Sequence, residues 1–138
     1  MSAANKRLLQ RFFEEVYSDG DLGLADEIVA ASYFNHNPAP GEMPGREGLK
    51  AFVAYLRRAF ADLTITMEDQ VAENDKVVSR FTISGVQESE FAGLPPTGKP
   101  VAVTAISIHR IEDGRIQEGW LNWDALGMMQ QLGAPLTD

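Results

Sequence analysis

The chain has no cysteine. That excludes disulfides, thiolate nucleophiles and thiolate metal ligands, and it fits a reducing compartment. Histidine is scarce too: His36 and His109 are the two in 138 residues. No HxH or HExxH spacing appears, so no metal site is expected. Basic charge is also short. Twelve Lys and Arg face 20 Asp and Glu, a formal net charge of −8. Nucleic acid and anionic membrane need a basic footprint and are not expected partners. No apolar run approaches the roughly 18 residues of a membrane span. The N-terminal stretch MSAANKRLLQRFFEEVY has charges where a secretory leader needs an apolar core. The expected location is the cytoplasm. There is no GxSxG, and no serine near a strand has a histidine paired with it in sequence, so Ser–His–Asp hydrolysis has no support.

What is present suits one globular domain over residues 1–138: 44% of residues are hydrophobic and 23% charged. Leu8, Leu9, Phe12, Phe13, Val16 and Tyr17 recur at helical spacing and predict an amphipathic helix ending near Ser18-Asp19-Gly20. Leu22, Leu24, Ala25, Ile28 and Val29 predict a second, short helix. The loop Asn35–Gly41 is dense in turn residues. A third helix follows, with Leu49, Phe52, Val53, Leu56 and Phe60 on one face.

The period then changes. Thr64–Glu73 and Lys76–Gln87 read as strands joined at Asn74-Asp75. Glu88–Phe91 either extends the second strand or starts another, and Ala92–Pro100 is a loop by composition. Val101–Ile111 and Arg115–Trp123 are strands joined by Asp113-Gly114, a strong hairpin signal. Ala125–Leu132 predicts a last helix stopped by Gly133 and Pro135. Helices first and antiparallel strands second make an α+β fold. Long strands joined by hairpins can curl around a helix and leave one apolar cavity.

Three stretches, in this order and spacing, carry a resemblance: FNHNPAPGEMPGREGLKAF, EFAGLPPTGKPV and IHRIEDGRIQEGWLNWDALGMMQQLG. Over Leu8–Gly133 the chain resembles the SnoaL-like polyketide cyclases, or ester cyclases, of the NTF2-like superfamily. The resemblance implies the NTF2-like cone, a curved antiparallel sheet wrapped around the N-terminal helices. It implies an intramolecular aldol ring closure driven by an aspartate acid/base, with no metal or organic cofactor. By position that aspartate is Asp124, and His109 and the Asn35–His36 region match positions that line the pocket. The expected partner is a small apolar carbonyl compound, and the expected assembly is a homodimer through the exposed sheet face.

An aldol closure needs a proton taken from a carbon between two carbonyls and one delivered to the new alkoxide. One carboxylate can do both if apolar surroundings raise its pKa. On an ideal strand Trp120, Asn122 and Asp124 share a face and Trp123 points away. Trp120 and Asn122 are therefore the favoured pocket neighbours of Asp124. Asp124 is also well placed as the N-cap of the last helix. An exposed cap favours a non-catalytic binding module, and a carboxylate inside an apolar cavity favours catalysis.

His109 has the parity of Val103, Ala105 and Ser107. If it points inward it can bond Asp124 or a substrate carbonyl and help hold an enolate. Asn35, His36 and Tyr17 are candidate donors to substrate, and Phe52 and Leu56 are candidate walls. Asn37 and Tyr33 are further donors, and the Ala92–Gly98 loop is a candidate cover. Each also has a plain structural role available, as turn, cap or core.

Two other enzymes on this fold fit less well. A limonene-type epoxide hydrolase needs Arg-x-Asp on a strand, and Arg80-Phe81-Thr82 lacks the acid. A ketosteroid-isomerase-like enzyme needs an aspartate just after the helices, where this chain has Asn35 and Asn37.

Overall fold

Residues 2–39 and 41–134 are described by the structure, a computed structural model. Helix α1 (Ser2–Arg11) runs on as a π-helical segment, Phe12–Ser18. The Asp19 amide donates to the Glu14 carbonyl five residues back. Leu9, Phe12, Phe13 and Val16 are all buried, so both adjacent phenylalanines face the core. The segment ends at Gly20, whose φ of 78° suits glycine.

Asp21 caps α2 (Leu22–Ile28), its carboxylate accepting from the Leu24 amide at 3.1 Å. The chain then passes directly into β1 (Val29–Asn35), a strand the sequence does not predict. Ala30-Ala31-Ser32-Tyr33-Phe34 is poor in β-branched residues, so the local signal is weak. Its partner lies about eighty residues away, beyond the reach of any local pattern.

Helix α3 (Gly45–Ala59) follows, then β2 (Phe60–Glu73), β3 (Lys76–Gln87), β4 (Pro100–Glu112), β5 (Arg115–Trp123) and α4 (Ala125–Leu132). Phe60, expected to close the third helix, opens β2. The sheet order is β1-β5-β4-β3-β2. The β2–β3, β3–β4 and β4–β5 pairs are antiparallel, and β1–β5 is parallel. The sheet is therefore mixed rather than wholly antiparallel, a correction that follows from β1. Asp113 and Gly114 both have positive φ, at 55° and 71°, as a tight two-residue hairpin requires. Asp124 caps α4, and Gly133 ends it in the left-handed conformation. Pro135 lies outside the described residues.

The main core lies between the N-terminal helices and the sheet, and a second cluster lies under α4, around Phe60, Leu63, Phe91 and Val103. Along β4, Val101, Val103, Ala105, Ser107, His109 and Ile111 are buried in strict alternation.

Glu88–Phe91 forms no strand; Phe91 makes an isolated bridge with Leu94 inside the β3–β4 loop. Gln87, fully buried, organises that loop. Its amide nitrogen donates to the Ser89 and Leu94 carbonyls at 3.1 and 3.3 Å. Its oxygen accepts from the Thr97 amide and hydroxyl at 3.2 and 2.7 Å. Gln87→Leu leaves these groups unpaired and should destabilise the fold by about 2 kcal/mol. Urea denaturation checks this, and an unchanged midpoint would contradict it.

Candidate active site

Inward parity on β4 brings His109 under the helical layer, 5% exposed. Its ring meets Phe12 and Phe13 edge-on, with centroids 5.6 and 5.8 Å away. Burial alone pushes its pKa down from 6.5 to about 4, so the imidazole is neutral at neutral pH. Its Nδ1 and the Ser107 hydroxyl are buried without a hydrogen-bond partner. Unpaired polar atoms in a core are costly.

Across the ladder, His109 pairs with Gly119. A Cβ on Gly119 would lie 2.7 and 2.8 Å from Cδ2 and Nε2 of His109, and 2.9 Å from the Tyr33 hydroxyl. The glycine therefore makes room for an imidazole and a phenol to converge. Tyr33 comes inward from β1, and burial plus the nearby Glu42 charge raise its pKa. Tyr17, from the π-helical segment, has its hydroxyl at its buried end. Burial, then Tyr33, then Glu42 raise its pKa well above the phenol range. Both phenols therefore stay protonated at neutral pH and are available as donors.

A cavity of about 200 Å³ opens beside Tyr33. Asn35, His36, Pro38, Glu42 and Met43 also line it. The loop is sewn to β5: the His36 amide donates to the Gly119 carbonyl at 2.9 Å, and the Leu121 amide donates to Asn37 Oδ1 at 2.8 Å. A larger groove of about 780 Å³ lies between the π-helical segment and the start of β2. It is open, and none of the residues singled out for catalysis or substrate binding line it. The smaller cavity, beside the buried polar cluster, is the better candidate.

The strand face proves opposite to the expected one. Ala105 pairs with Trp123 and Ser107 with Leu121, so Gly119, Leu121 and Trp123 share the inward face. Trp120 and Asn122 face out. Trp120 stacks on the His36 ring with centroids 4.3 Å apart. His36 contacts Glu118 at 2.7 Å, and Arg110 bonds the other Glu118 oxygen. These two hydrogen bonds hold the Glu118 carboxyl below its usual range.

Asp124 is exposed, and its carboxylate accepts from the Gly127 amide at 2.8 Å. It makes no hydrogen bond with His109 among the described residues. Phe52 and Leu56 are half-buried on α3 and do not line the Tyr33 cavity; Leu56 packs against the cluster under α4. The structure thus places Tyr33, Asn35 and His36 on the small cavity, with the His36 ring also against Trp120 and Glu118 on the outer face; Tyr17 and His109 do not line it. Glu42 on the cavity and Gly119 beside His109 were not singled out from sequence. The one sequence signal for Glu42 is an acid directly after the turn-rich Asn35–Gly41 stretch.

Comparison with known proteins agrees with this architecture. The SnoaL-like polyketide cyclase family matches residues 7–132. The aklanonic acid methyl ester cyclase DnrD of Streptomyces peucetius is 31% identical over 134 residues, covering 92% of this chain and 90% of that protein. The nogalonic acid methyl ester cyclase of Streptomyces nogalater is 28% identical, covering 88% and 92%. Among solved structures, TsrD from Streptomyces laurentii superposes with a TM-score of 0.90 at 34% identity, covering 98% of each chain.

The depressed pKa of His109 has a consequence for stability. The unfolded chain protonates this histidine near pH 6.5, and the folded chain only near pH 4. Between those values the unfolded state binds more protons, so stability falls as pH falls, by a few kcal/mol in total on the order-of-magnitude scale. Urea titrations at pH 7, 5.5 and 4.5 should show this loss in wild type and a shallower one in His109→Gln. Identical slopes would contradict it. Gly119→Ala should lower stability by about 1–3 kcal/mol, as overpacking does.

Proposed function

Because the chain belongs to the SnoaL-like polyketide cyclase family, we propose that it catalyses cofactor-independent ring closure of a polyketide-type ester at the Tyr33 cavity. The reaction is an intramolecular aldol addition. A proton leaves the carbon between two carbonyls, the resulting enolate attacks a ketone of the same molecule, and the new alkoxide is protonated. Charge builds on the enolate oxygen, and donors fixed in a dry pocket stabilise it most.

The observation that carries this reading is the buried, neutral His109, whose Nε2 edge converges with the Tyr33 hydroxyl over Gly119. A neutral imidazole and a protonated phenol donate to an oxyanion without a counter-charge to neutralise it. Relatives named as methyl ester cyclases of aklanonic and nogalonic acid support a polyketide ester as the substrate class. The cavity of about 200 Å³ is smaller than the roughly 300–1,000 Å³ of typical ligand sites. The cavity therefore holds the reacting end of such an ester rather than its whole ring system.

Asp124, the acid/base that position in the family implies, is exposed and occupied as a cap. In this reading it stabilises α4, and His109 and Tyr33 hold the reacting oxygen. Ligand binding without chemistry is the second reading, favoured by that same exposed cap. The proposal also includes a homodimer. The outer sheet face carries Phe34 and Ile106, 56% and 52% exposed, beside the stacked His36 and Trp120.

The test is turnover of a polyketide-type diketo ester, followed by chromatography with mass detection. Wild type should give an isomeric or dehydrated ring-closed product. His109→Gln should lose about 100-fold or more in kcat, as loss of an oxyanion donor does. Asp124→Asn should keep most of its turnover and its stability, since Asn also caps. Loss of turnover in a folded Asp124→Asn would return the acid/base role to Asp124. Tight binding with no product would favour the binding reading. A stable monomer at micromolar concentration would overturn the dimer.

A further inference from the structure

We propose that Glu42 is the carboxylate that takes up and returns the proton at this site, an assignment that rests on the ring-closure reading above. Glu42 is the sole carboxylate among the described residues lining the Tyr33 cavity. Its position is set from two sides. Asn35 Nδ2, at the end of β1, donates to Oε2 at 3.0 Å, and the Ala39 amide donates to Oε1 at 3.2 Å. Each oxygen keeps acceptor capacity beyond these single bonds. No ion pair involving Glu42 occurs among the described residues, so no adjacent cation neutralises it. Its charge reaches the buried phenols: it contributes to the raised proton affinity of both Tyr17 and Tyr33. The carboxylate lines the same small cavity as Tyr33, whose hydroxyl with His109 would hold the enolate oxygen.

The step balances without any further reagent. The C–H bond between the two carbonyls breaks, and its proton passes to a Glu42 oxygen. The electron pair left behind becomes an enolate, held by the Tyr33 and His109 donors. The enolate carbon forms a bond to the ketone carbon of the same molecule. The ketone oxygen becomes an alkoxide and takes the proton back from Glu42. The product is an isomer of the substrate, and the carboxylate is regenerated. Glu42 would thus touch substrate directly, while Asn35 acts through it as a positioning residue.

The experiment follows deuterium uptake at the central carbon of methyl benzoylacetate in D2O by mass spectrometry, with ring closure of a diketo ester assayed beside it. Wild type should accelerate exchange above buffer. Glu42→Gln should lose about 100-fold of that acceleration, the lower end of what general acid–base groups contribute. Circular dichroism melting shows whether the loop change has cost the fold. Glu42→Asp keeps a carboxylate but withdraws it by one methylene. It should fold as wild type and slow exchange about tenfold. Wild-type exchange in either folded variant would overturn the Glu42 assignment alone. Neither exchange nor ring closure by wild type would overturn the ring-closure reading, and this assignment with it.

Discussion

The site depends on one constraint: a histidine buried in apolar surroundings must stay neutral. His109 packs in T-shaped contact with two phenylalanine rings and against the glycine opposite it on β5, and burial moves its pKa to about 4. Three local features serve this arrangement. The π-helical segment brings Phe12 and Phe13 to the core together. Gly119 leaves the space in which the imidazole lies. The parallel strand β1 delivers Tyr33 to the same point. Remove any one and the ring is either crowded or left open to water, where it would regain an ordinary proton affinity.

Much of the fold could be read locally. Strands β3, β4 and β5, the Asp113-Gly114 turn and α4 follow from alternation and turn chemistry, which act within a few residues. The first strand could not be read that way. Its residues have weak strand preference, and its partner is distant in sequence, so tertiary pairing decides it. Phe60 shows the same limit at a smaller scale. It continues the apolar face of α3 in sequence, yet it starts β2, because apolar periodicity does not mark where a helix hands over to a strand.

The site was legible in part. Parity alone put His109 with Val103, Ala105 and Ser107, and all four are buried. Parity was blind to the sign on β5. An ideal strand groups Trp120, Asn122 and Asp124, but which face meets the core depends on the pairing of His109 with Gly119. The glycine carries no hydrophobic signal, whereas the large aromatic Trp120 marks the outward face. Glu42 lay hidden for a related reason: its relation to Tyr33 is made by the loop folding back onto Asn35, and no spacing encodes that.

The neutral, oxyanion-binding role of His109 is tested most directly by nitrogen-15 NMR of its imidazole across pH 5 to 8, with and without an aromatic phenolate that mimics an enolate. The expected result is a neutral ring throughout that range in the free protein, and a shift of its nitrogens when the phenolate binds. A ring titrating near 6.5 with no response to the phenolate would contradict that role.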